Sequence, residues 1–347
     1  MISFADFNTL EWFRYAEMNE IMNLAVFQEA FHEYPVAFSF IAAWFGCNIG
    51  SFLNVCIYRI PLGMSLISPP SHCPNCNHKI TFWENIPIFS YLFLGRKCSA
   101  CKKPISPDYM IGELITGVVF GILFYMVVKS GMSMMVFLLY AILVSVLIPS
   151  SVIDFYFRII PNQLTYSLLI LAPLYHLLHG VIKPPHLLDF QAFFYSLLSA
   201  VIIWAVLWAL SYLGKLAWKK EALGLGDVKL LAGIAASLGI FPILFIILFS
   251  CIIAITWIPI YRVINPRRAR RAFPFGPFIA SGTAVWLLIG IQLSNRIYQN
   301  SNDVAGLERV ELVHPRNYHY EEMRHNILGN KKSMRRKTLT GKANASL

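Results

Sequence analysis

Long apolar runs recur through most of this sequence, and they constrain the possible fold more than any other feature. A helix needs roughly 20 apolar residues to cross a bilayer, and lipid demands that each spanning segment satisfy its own backbone hydrogen bonds. Of the 347 residues, 57% are hydrophobic and only 14% are charged. We therefore predict an all-α polytopic membrane protein with about eight transmembrane helices: 36–58, 111–128, 132–153, 163–182, 190–213, 228–240, 241–262 and 273–293. The sixth is short, and Gly239 to Pro242 predict a turn between it and the seventh.

Positive charge is concentrated in alternate connections. The first, third, fifth and seventh connections contain Arg59, Lys79, Arg96, Lys97, Lys102, Lys103, Arg158, Lys215, Lys219, Lys220, Lys229, Arg262, Arg267, Arg268, Arg270 and Arg271. The opposite connections contain Lys129 and Lys183. Because short cytoplasmic loops are rich in Lys and Arg, these four connections are predicted to face the cytoplasm, with the N-terminus outside. The net charge of +11 then indicates topology and contact with anionic membrane lipids, not nucleic-acid binding.

Four cysteines form two pairs in the first connection. Cys73 and Cys76 are separated by two residues, as are Cys98 and Cys101, and 21 residues lie between the pairs. This spacing is typical of a zinc ribbon, in which four thiolates hold one tetrahedral ion. Two disulfides or unrelated thiols are the alternatives, and a cytoplasmic location argues against disulfides. We predict a structural Zn²⁺ site in a cytoplasmic zinc-ribbon-like loop between helices one and two.

Two aspartates lie at the ends of apolar segments, where a carboxylate is costly unless it has a partner or a function. They are Asp154 and Asp227, and Asp227 follows Gly224 and Gly226. Two neighbouring carboxyl groups in a poorly hydrated site suit acid/base chemistry, because both cannot ionise cheaply. One group can then activate a water while the other polarises a carbonyl and donates to the leaving amine. The sequence does not say which aspartate is the base, since such a pair titrates as a unit.

Each aspartate also has a simpler interpretation. Asp154 alone could pair with Arg158, and Asp227 alone could cap the helix that begins near Val228. The two glycines are predicted to let the backbone leave helical geometry before Asp227 and to allow close approach by an extended substrate. They are accordingly candidates for backbone in the active site.

Five motifs in order resemble the type IV prepilin peptidases, the bifunctional leader peptidase/N-methyltransferases of bacterial type IV pilus and type II secretion systems. The resemblance covers about residues 36–293. Its motifs are GSFLNVCIYRIP at 50–61, SHCPNC and ENIPIFSYL at 71–76 and 84–92, ID and IPNQLT at 153–154 and 160–165, GLGDVKLLA at 224–232, and PFGPF at 274–278. One departure is Met110, which follows Tyr109 where the family has a proline, although Glu113 is retained.

The resemblance implies a GxGD-type intramembrane aspartic protease in the bacterial cytoplasmic (inner) membrane, with its active site facing the cytoplasm. Asp154 and Asp227 match the family's catalytic segments. The implied substrates are prepilins or pseudopilins, cut after a glycine, and the implied second reaction is methylation of the new N-terminus from S-adenosylmethionine. No glycine-rich nucleotide fingerprint is visible, so we predict no residues for that cofactor.

The predicted organisation has five parts: an N-terminal extension at 1–35, a first transmembrane helix at 36–58, the cytoplasmic Cys-four zinc loop at 59–110, a transmembrane aspartic peptidase core at 111–293, and a basic, mobile C-terminal tail at 294–347. The extension has no order of segments typical of a removable signal peptide. The oligomeric state stays open.

Two other classes of protein are compatible with parts of the sequence. A proton-coupled membrane transporter could use the two aspartates as proton carriers, but it would more naturally contain inverted repeats, and none is visible. A membrane anchor that presents a zinc-ribbon module would not need Gly-x-Gly directly before a carboxylate. The peptidase is therefore the preferred hypothesis.

Overall fold

Helices make up nearly all of the structure. The computed structural model describes residues 30–182, 188–219, 223–264 and 273–311, and it contains no β-strand there beyond two isolated bridges in the Cys-containing loop. Eight long helices occur in these ranges: α1 Pro35–Arg59, α2 Pro107–Lys129, α3 Met134–Phe157, α4 Asn162–Ile182, α5 Phe190–Trp218, α6 Leu225–Leu238, α7 Ile240–Ile264 and α8 Gly276–Glu311. They correspond one for one to the eight predicted segments, and the all-α polytopic fold class is confirmed.

Parts of two predicted regions cannot be compared with the structure. Most of the N-terminal extension, up to residue 29, lies outside the described residues, as does the C-terminal tail from residue 312. Contacts divide the chain into residues 1–294 and 295–347. The two aspartates and the cysteine loop belong to the first of these parts.

Six of the eight helices are long and apolar enough to cross a membrane by themselves, namely α1, α2, α3, α5, α7 and the part of α8 up to Leu293. The other two differ for separate reasons. Helix α4 has 21 residues but carries polar groups along its length, including His176 and His179. Helix α6 has only 14 residues, about 21 Å at 1.5 Å per residue, which is shorter than a hydrocarbon core of about 30 Å.

Helix α6 is buried inside the protein. Its residues from Leu230 to Ser237 are buried, and it packs against α4 and α5. The last carbonyl groups of a helix have no partner within it, and they are costly to leave unpaired away from water. Here the Ser196 hydroxyl of α5 donates to the Ala236 carbonyl at 2.6 Å, and His176 Nε2 of α4 donates to the Ser237 carbonyl at 3.2 Å. Neighbouring helices therefore allow α6 to end within the bundle.

Helices α1 and α2 form the closest helix pair, and glycines make this contact possible. A Cβ on Gly46 would lie 2.7 Å from Phe120 Cβ, and one on Gly50 would lie 2.9 Å from the Glu113 Cα. On the facing helix, a Cβ on Gly117 would lie 2.9 Å from the Ala43 carbonyl oxygen. Small residues let helix backbones approach in this way in membranes. The Cys-containing loop connects the end of α1 to the start of α2.

Candidate active site and metal-binding loop

Asp154 lies in the last turn of α3, and the chain stops being helical just beyond it. Arg158 has a left-handed backbone conformation, with φ of 58°, and its N–H donates to the Asp154 carbonyl at 2.9 Å. Pro161 then precedes α4, which begins at Asn162. The Asp154 side chain is buried, with only 6% of its surface exposed. Arg158 forms no direct ion pair with Asp154 among the described residues, although its charge still acts on this carboxylate.

A backbone group from a distant segment fixes the Asp154 carboxylate. The N–H of Gly276, the first residue of α8, donates to Asp154 Oδ2 at 2.8 Å. A Cβ at residue 276 would lie 2.7 Å from that oxygen and 3.1 Å from the Asp154 Cβ. In this geometry, a side chain at residue 276 would clash with the same carboxylate that the N–H binds. The sequence motif around Gly276 did not reveal this contact, because the donor belongs to the backbone and is 122 residues away.

Asp227 lies in the first turn of α6, whose N-terminal cap is Gly224. Its carboxylate accepts a hydrogen bond from the Gly224 N–H, so the residue does help to cap its helix. A Cβ on Gly224 would lie 3.2 Å from Asp227 Oδ2, and one on Gly226 would lie 3.1 Å from the Ile160 side chain. Neither glycine has a positive φ. Glycine therefore suits these two positions because neighbouring atoms lie close to them, and not because their backbone conformation is unusual.

Three connections thus converge at one end of the bundle. They are the turn after α3, the start of α6 and the start of α8, which correspond to the last three motifs singled out in the sequence. The carboxyl groups of Asp154 and Asp227 lie close enough for their charges to interact. Two coupled carboxyl groups next to a buried backbone can exchange a proton with a water molecule between them, as acid and base.

The Lys229 ammonium contacts residues of α4 and not the two aspartates. It donates to Asn162 Oδ1 at 2.9 Å and lies 5.4 Å from the centre of the Tyr166 ring. Both partners belong to α4, whereas Lys229 belongs to α6. The lysine therefore ties together the starts of the two helices that follow Asp154 and contain Asp227.

The four predicted metal-binding cysteines come together in the loop between α1 and α2. Their Sγ atoms all lie within 4.8 Å of one another, and the pairs Cys73–Cys101 and Cys76–Cys98 are each 3.9 Å apart. Ligands around a tetrahedral ion with metal–sulfur bonds of about 2.3 Å would be separated by about 3.8 Å. All four are free thiols, and a disulfide would need a separation of about 2 Å. The cluster fits one metal ion.

Backbone groups beside the cluster stabilise one of the four cysteines, Cys73, as a thiolate. The N–H groups of Asn75 and Cys76 point to the Cys73 sulfur, and they lower the pKa of this thiol to about 6. Across the loop, Glu84 accepts hydrogen bonds from Ser99 and from the N–H and hydroxyl of Thr81, and these lower its pKa to about 2. Since Ser99 lies in the second cysteine pair and Thr81 follows the first, Glu84 links the two halves of the loop.

Comparison with known proteins identifies two families along the chain. Residues 44–127 match the bacterial peptidase A24 N-terminal domain, and residues 141–258 match the type IV leader peptidase family. The first match contains the cysteine loop, and the second contains both aspartates. No solved structure matches the chain.

Curated relatives match over nearly their whole length. A protein of Aeromonas hydrophila is 32% identical over 292 residues, which cover 77% of this chain and 96% of the relative. A protein of Pseudomonas aeruginosa is 34% identical over 291 residues, which cover 77% of this chain and 95% of the relative. A protein of Neisseria gonorrhoeae is 33% identical over 261 residues, which cover 68% of this chain and 85% of the relative. Each is named prepilin leader peptidase/N-methyltransferase.

Proposed function

Because the chain belongs to the type IV leader peptidase family, we propose that it is an aspartic endopeptidase that removes the leader of type IV prepilins and pseudopilins and then N-methylates the new N-terminus. One observation supports the peptidase part most directly. Asp154 is buried, its carboxylate is held by the Gly276 N–H, and its charge interacts with that of Asp227. The families matched by the chain offer no support for the transporter hypothesis.

In the proposed reaction, Asp154 and Asp227 are the catalytic pair. One carboxylate takes a proton from a water molecule, which attacks the carbonyl carbon of the scissile peptide bond. The other, protonated, carboxyl group polarises the carbonyl oxygen, and a proton then passes to the leaving amine. The Gly276 N–H contributes by fixing the orientation of Asp154. Gly224 and Gly226, which both precede Asp227, contribute by letting the backbone lie close to the Asp227 carboxylate and to Ile160.

We place this reaction at the cytoplasmic face of the bacterial inner membrane. The turn after α3, the start of α6, the start of α8 and the cysteine loop all lie at the same end of consecutive antiparallel helices, and these connections contain most of the Lys and Arg. The substrate would therefore be cut where its chain enters the membrane from the cytoplasm.

The ion in the cysteine loop is proposed to be zinc, held by Cys73, Cys76, Cys98 and Cys101. Four thiolates leave no open position, so the ion would crosslink the loop and take no part in cleavage. Methyl transfer rests on the family alone, with S-adenosylmethionine as the proposed donor. No described residues form a glycine-rich nucleotide-binding turn, and we assign no residue to this cofactor.

The test is to incubate the purified protein with a pilin-type precursor, with and without S-adenosylmethionine, and to determine the product N-terminus by mass spectrometry. We expect Asp154→Asn and Asp227→Asn each to reduce cleavage by roughly 10²- to 10⁴-fold or more, because Asn can neither take nor supply the proton. The double variant should be hardly slower than either single one, since the two residues act as a unit.

Methylation provides the internal control. A precleaved pilin should still be methylated by both Asn variants, which shows that they are folded and inserted. Cleavage by either variant at a rate near that of the unchanged protein would remove that aspartate from the mechanism.

A further inference from the structure

One apolar segment has no role in the chemistry proposed above. Residues 86–94 have the sequence IPIFSYLFL and lie in the loop that the sequence analysis assigned to the cytoplasm, between the two cysteine pairs. The segment includes a short helix, Phe89–Phe93. A run of this length is too short to cross a bilayer, which is why it gives no membrane signal in the sequence.

Two contacts show how far this segment reaches along the helices. The Phe89 ring packs on the Trp44 ring of α1, with centroids 5.7 Å apart. Trp44 lies fifteen residues before the end of α1 at Arg59, which is about 22 Å along the helix axis. The Ile88 N–H donates to Glu113 Oε2 at 2.8 Å, and the Glu113 backbone lies beside Gly50, about 13 Å from the same end. Both distances are well inside a membrane-spanning helix.

Glu113 pairs a backbone group that would otherwise be unpaired at this depth. Its carboxylate accepts from Ile88, the residue that precedes the short helix, and it also hydrogen-bonds the Ser51 side chain of α1. Ile88 has φ of 64° and ψ of −53°, a conformation that is rare and strained for a β-branched residue. Such a conformation persists only where its surroundings enforce it. The carboxylate thus holds the segment at a defined place between α1 and α2.

The outer side of the segment is apolar and uncovered. Phe93 is 86% exposed and Leu92 is 56% exposed, whereas Tyr91 on the inner side is buried. Phe89 and Phe93 stack on each other with centroids 6.3 Å apart, so their surface is continuous with the exposed Trp44 of α1. Trp44 belongs to α1, which is long and apolar enough to cross a membrane, so we expect its exposed face to contact lipid. The surface of Phe89 and Phe93 adjoins this face of α1 at the same depth, so it is surrounded by the same lipid.

We propose that residues 86–94 form a re-entrant segment, which enters the bilayer beside α1 and returns to the same side, with Phe89, Leu92 and Phe93 in contact with lipid acyl chains. The cysteine loop is then attached to the membrane at a third point besides α1 and α2. Glu113 is the positioning residue that seats the segment.

Photocrosslinking tests this directly. The full chain, with p-benzoylphenylalanine placed at Phe93, is reconstituted into vesicles of phosphatidylethanolamine and phosphatidylglycerol, irradiated and analysed by mass spectrometry. We expect lipid acyl-chain adducts as the main product. The matched control carries the same photoprobe at Lys79, an exposed position of the same loop near the first cysteine pair, where no lipid adduct above background is expected. Protein adducts alone at Phe93, or equal lipid adducts at both positions, would overturn the proposal.

Two substitutions test the role of Glu113 in the Phe93 photoprobe background. Glu113→Gln keeps an oxygen that can accept from Ile88, and it should retain the lipid adduct. Glu113→Ala removes the acceptor, and it should reduce the adduct and expose the loop to protease. An unchanged adduct in Glu113→Ala would show that this carboxylate does not position the segment.

Discussion

At the scale of single residues, the two aspartates differ in how they are held. Asp154 depends on a backbone N–H from another helix, whereas Asp227 is bonded by the cap of its own helix. The geometry of Asp154 is therefore sensitive to changes at a position far away in the sequence. Asp227 depends mainly on the local turn at Gly224.

This difference leads to a prediction for Gly276→Ala. The added methyl group would lie 2.7 Å from Asp154 Oδ2, and this backbone cannot easily yield, so the carboxylate must move. We expect cleavage of the precursor to fall by roughly 10²-fold, the loss typical of a misplacement of about 1 Å in an active site. The rate is measured with the assay described above.

Gly290→Ala is the matched control on the same helix. A Cβ there would meet Trp286 at 3.8 Å, which is ordinary contact. Cleavage should be unchanged, and equal losses in the two variants would mean that glycine in α8 matters for reasons unrelated to Asp154.

The sequence could identify the aspartates because carboxylates in apolar segments are rare and costly. It could not identify the partner of Asp154, since a backbone N–H has no residue type of its own and Gly276 is distant along the chain. Glu113 was noticed only as a retained family residue. Its contact with Ile88 depends on how the loop folds back on α1 and α2, which hydrophobic pattern does not encode. The catalytic roles of Asp154 and Asp227 stay predictions until the variants are measured.

At the scale of helices, the short α6 is the part of the bundle that depends most on its neighbours. The sequence predicted its small length and the turn after it, where Gly239 has φ of 89°. It did not predict the side chains that pair its last carbonyls, because Ser196 and His176 lie in two other helices. The apolar segment at residues 86–94 was assigned to a loop for a similar reason, since only its contacts reveal its depth.

We predict that Ser196→Ala destabilises the protein. The substitution removes the hydroxyl donor of the Ala236 carbonyl and leaves this carbonyl with its contact to the His176 ring, so we expect the loss typical of one hydrogen bond, about 0.5–1.5 kcal/mol. Thermal unfolding in detergent should show a lower midpoint. Ser199→Ala is the control, because Ser199 is also buried in α5 but its hydroxyl bonds the Tyr195 carbonyl of its own helix. A similar decrease in both variants would argue against the capping role.

At the scale of the whole molecule, a helical bundle contains the two aspartates proposed as the catalytic pair, and a separate loop contains the cluster of four cysteines. The loop is small and leaves many of its large apolar side chains exposed, so it does not bury a large core of its own. Metal binding would then provide much of its folding free energy.

We predict one zinc ion per chain in the purified protein. Cys73→Ser should lose most of this metal and make the loop between α1 and α2 sensitive to protease, while the helices stay resistant. Cys251→Ser, in α7 and outside the cluster, should retain both the metal and the resistance. Well under one zinc per chain in a fully active protein would contradict the prediction.

The C-terminal tail at 294–347 is predicted to be dispensable for cleavage. Both aspartates and Gly276 precede it, and the match to the leader peptidase family ends at residue 258. A chain without residues 294–347 should cleave the precursor at the rate of the full chain, at equal amounts of inserted protein. A slower rate under these conditions would show that the tail contributes to the reaction.

The hydrogen bond from Gly276 to Asp154 has a mechanical consequence. It connects the beginning of α8 to the end of α3 through the Asp154 carboxyl group, whose charge is proposed to change during each reaction cycle. A charged carboxylate binds an N–H roughly twice as strongly as a neutral acceptor does. This hydrogen bond would therefore be stronger when Asp154 is ionised and weaker when Asp154 is protonated. We therefore expect the contact between the end of α3 and the start of α8 to weaken once in each reaction cycle, at the step in which Asp154 carries a proton.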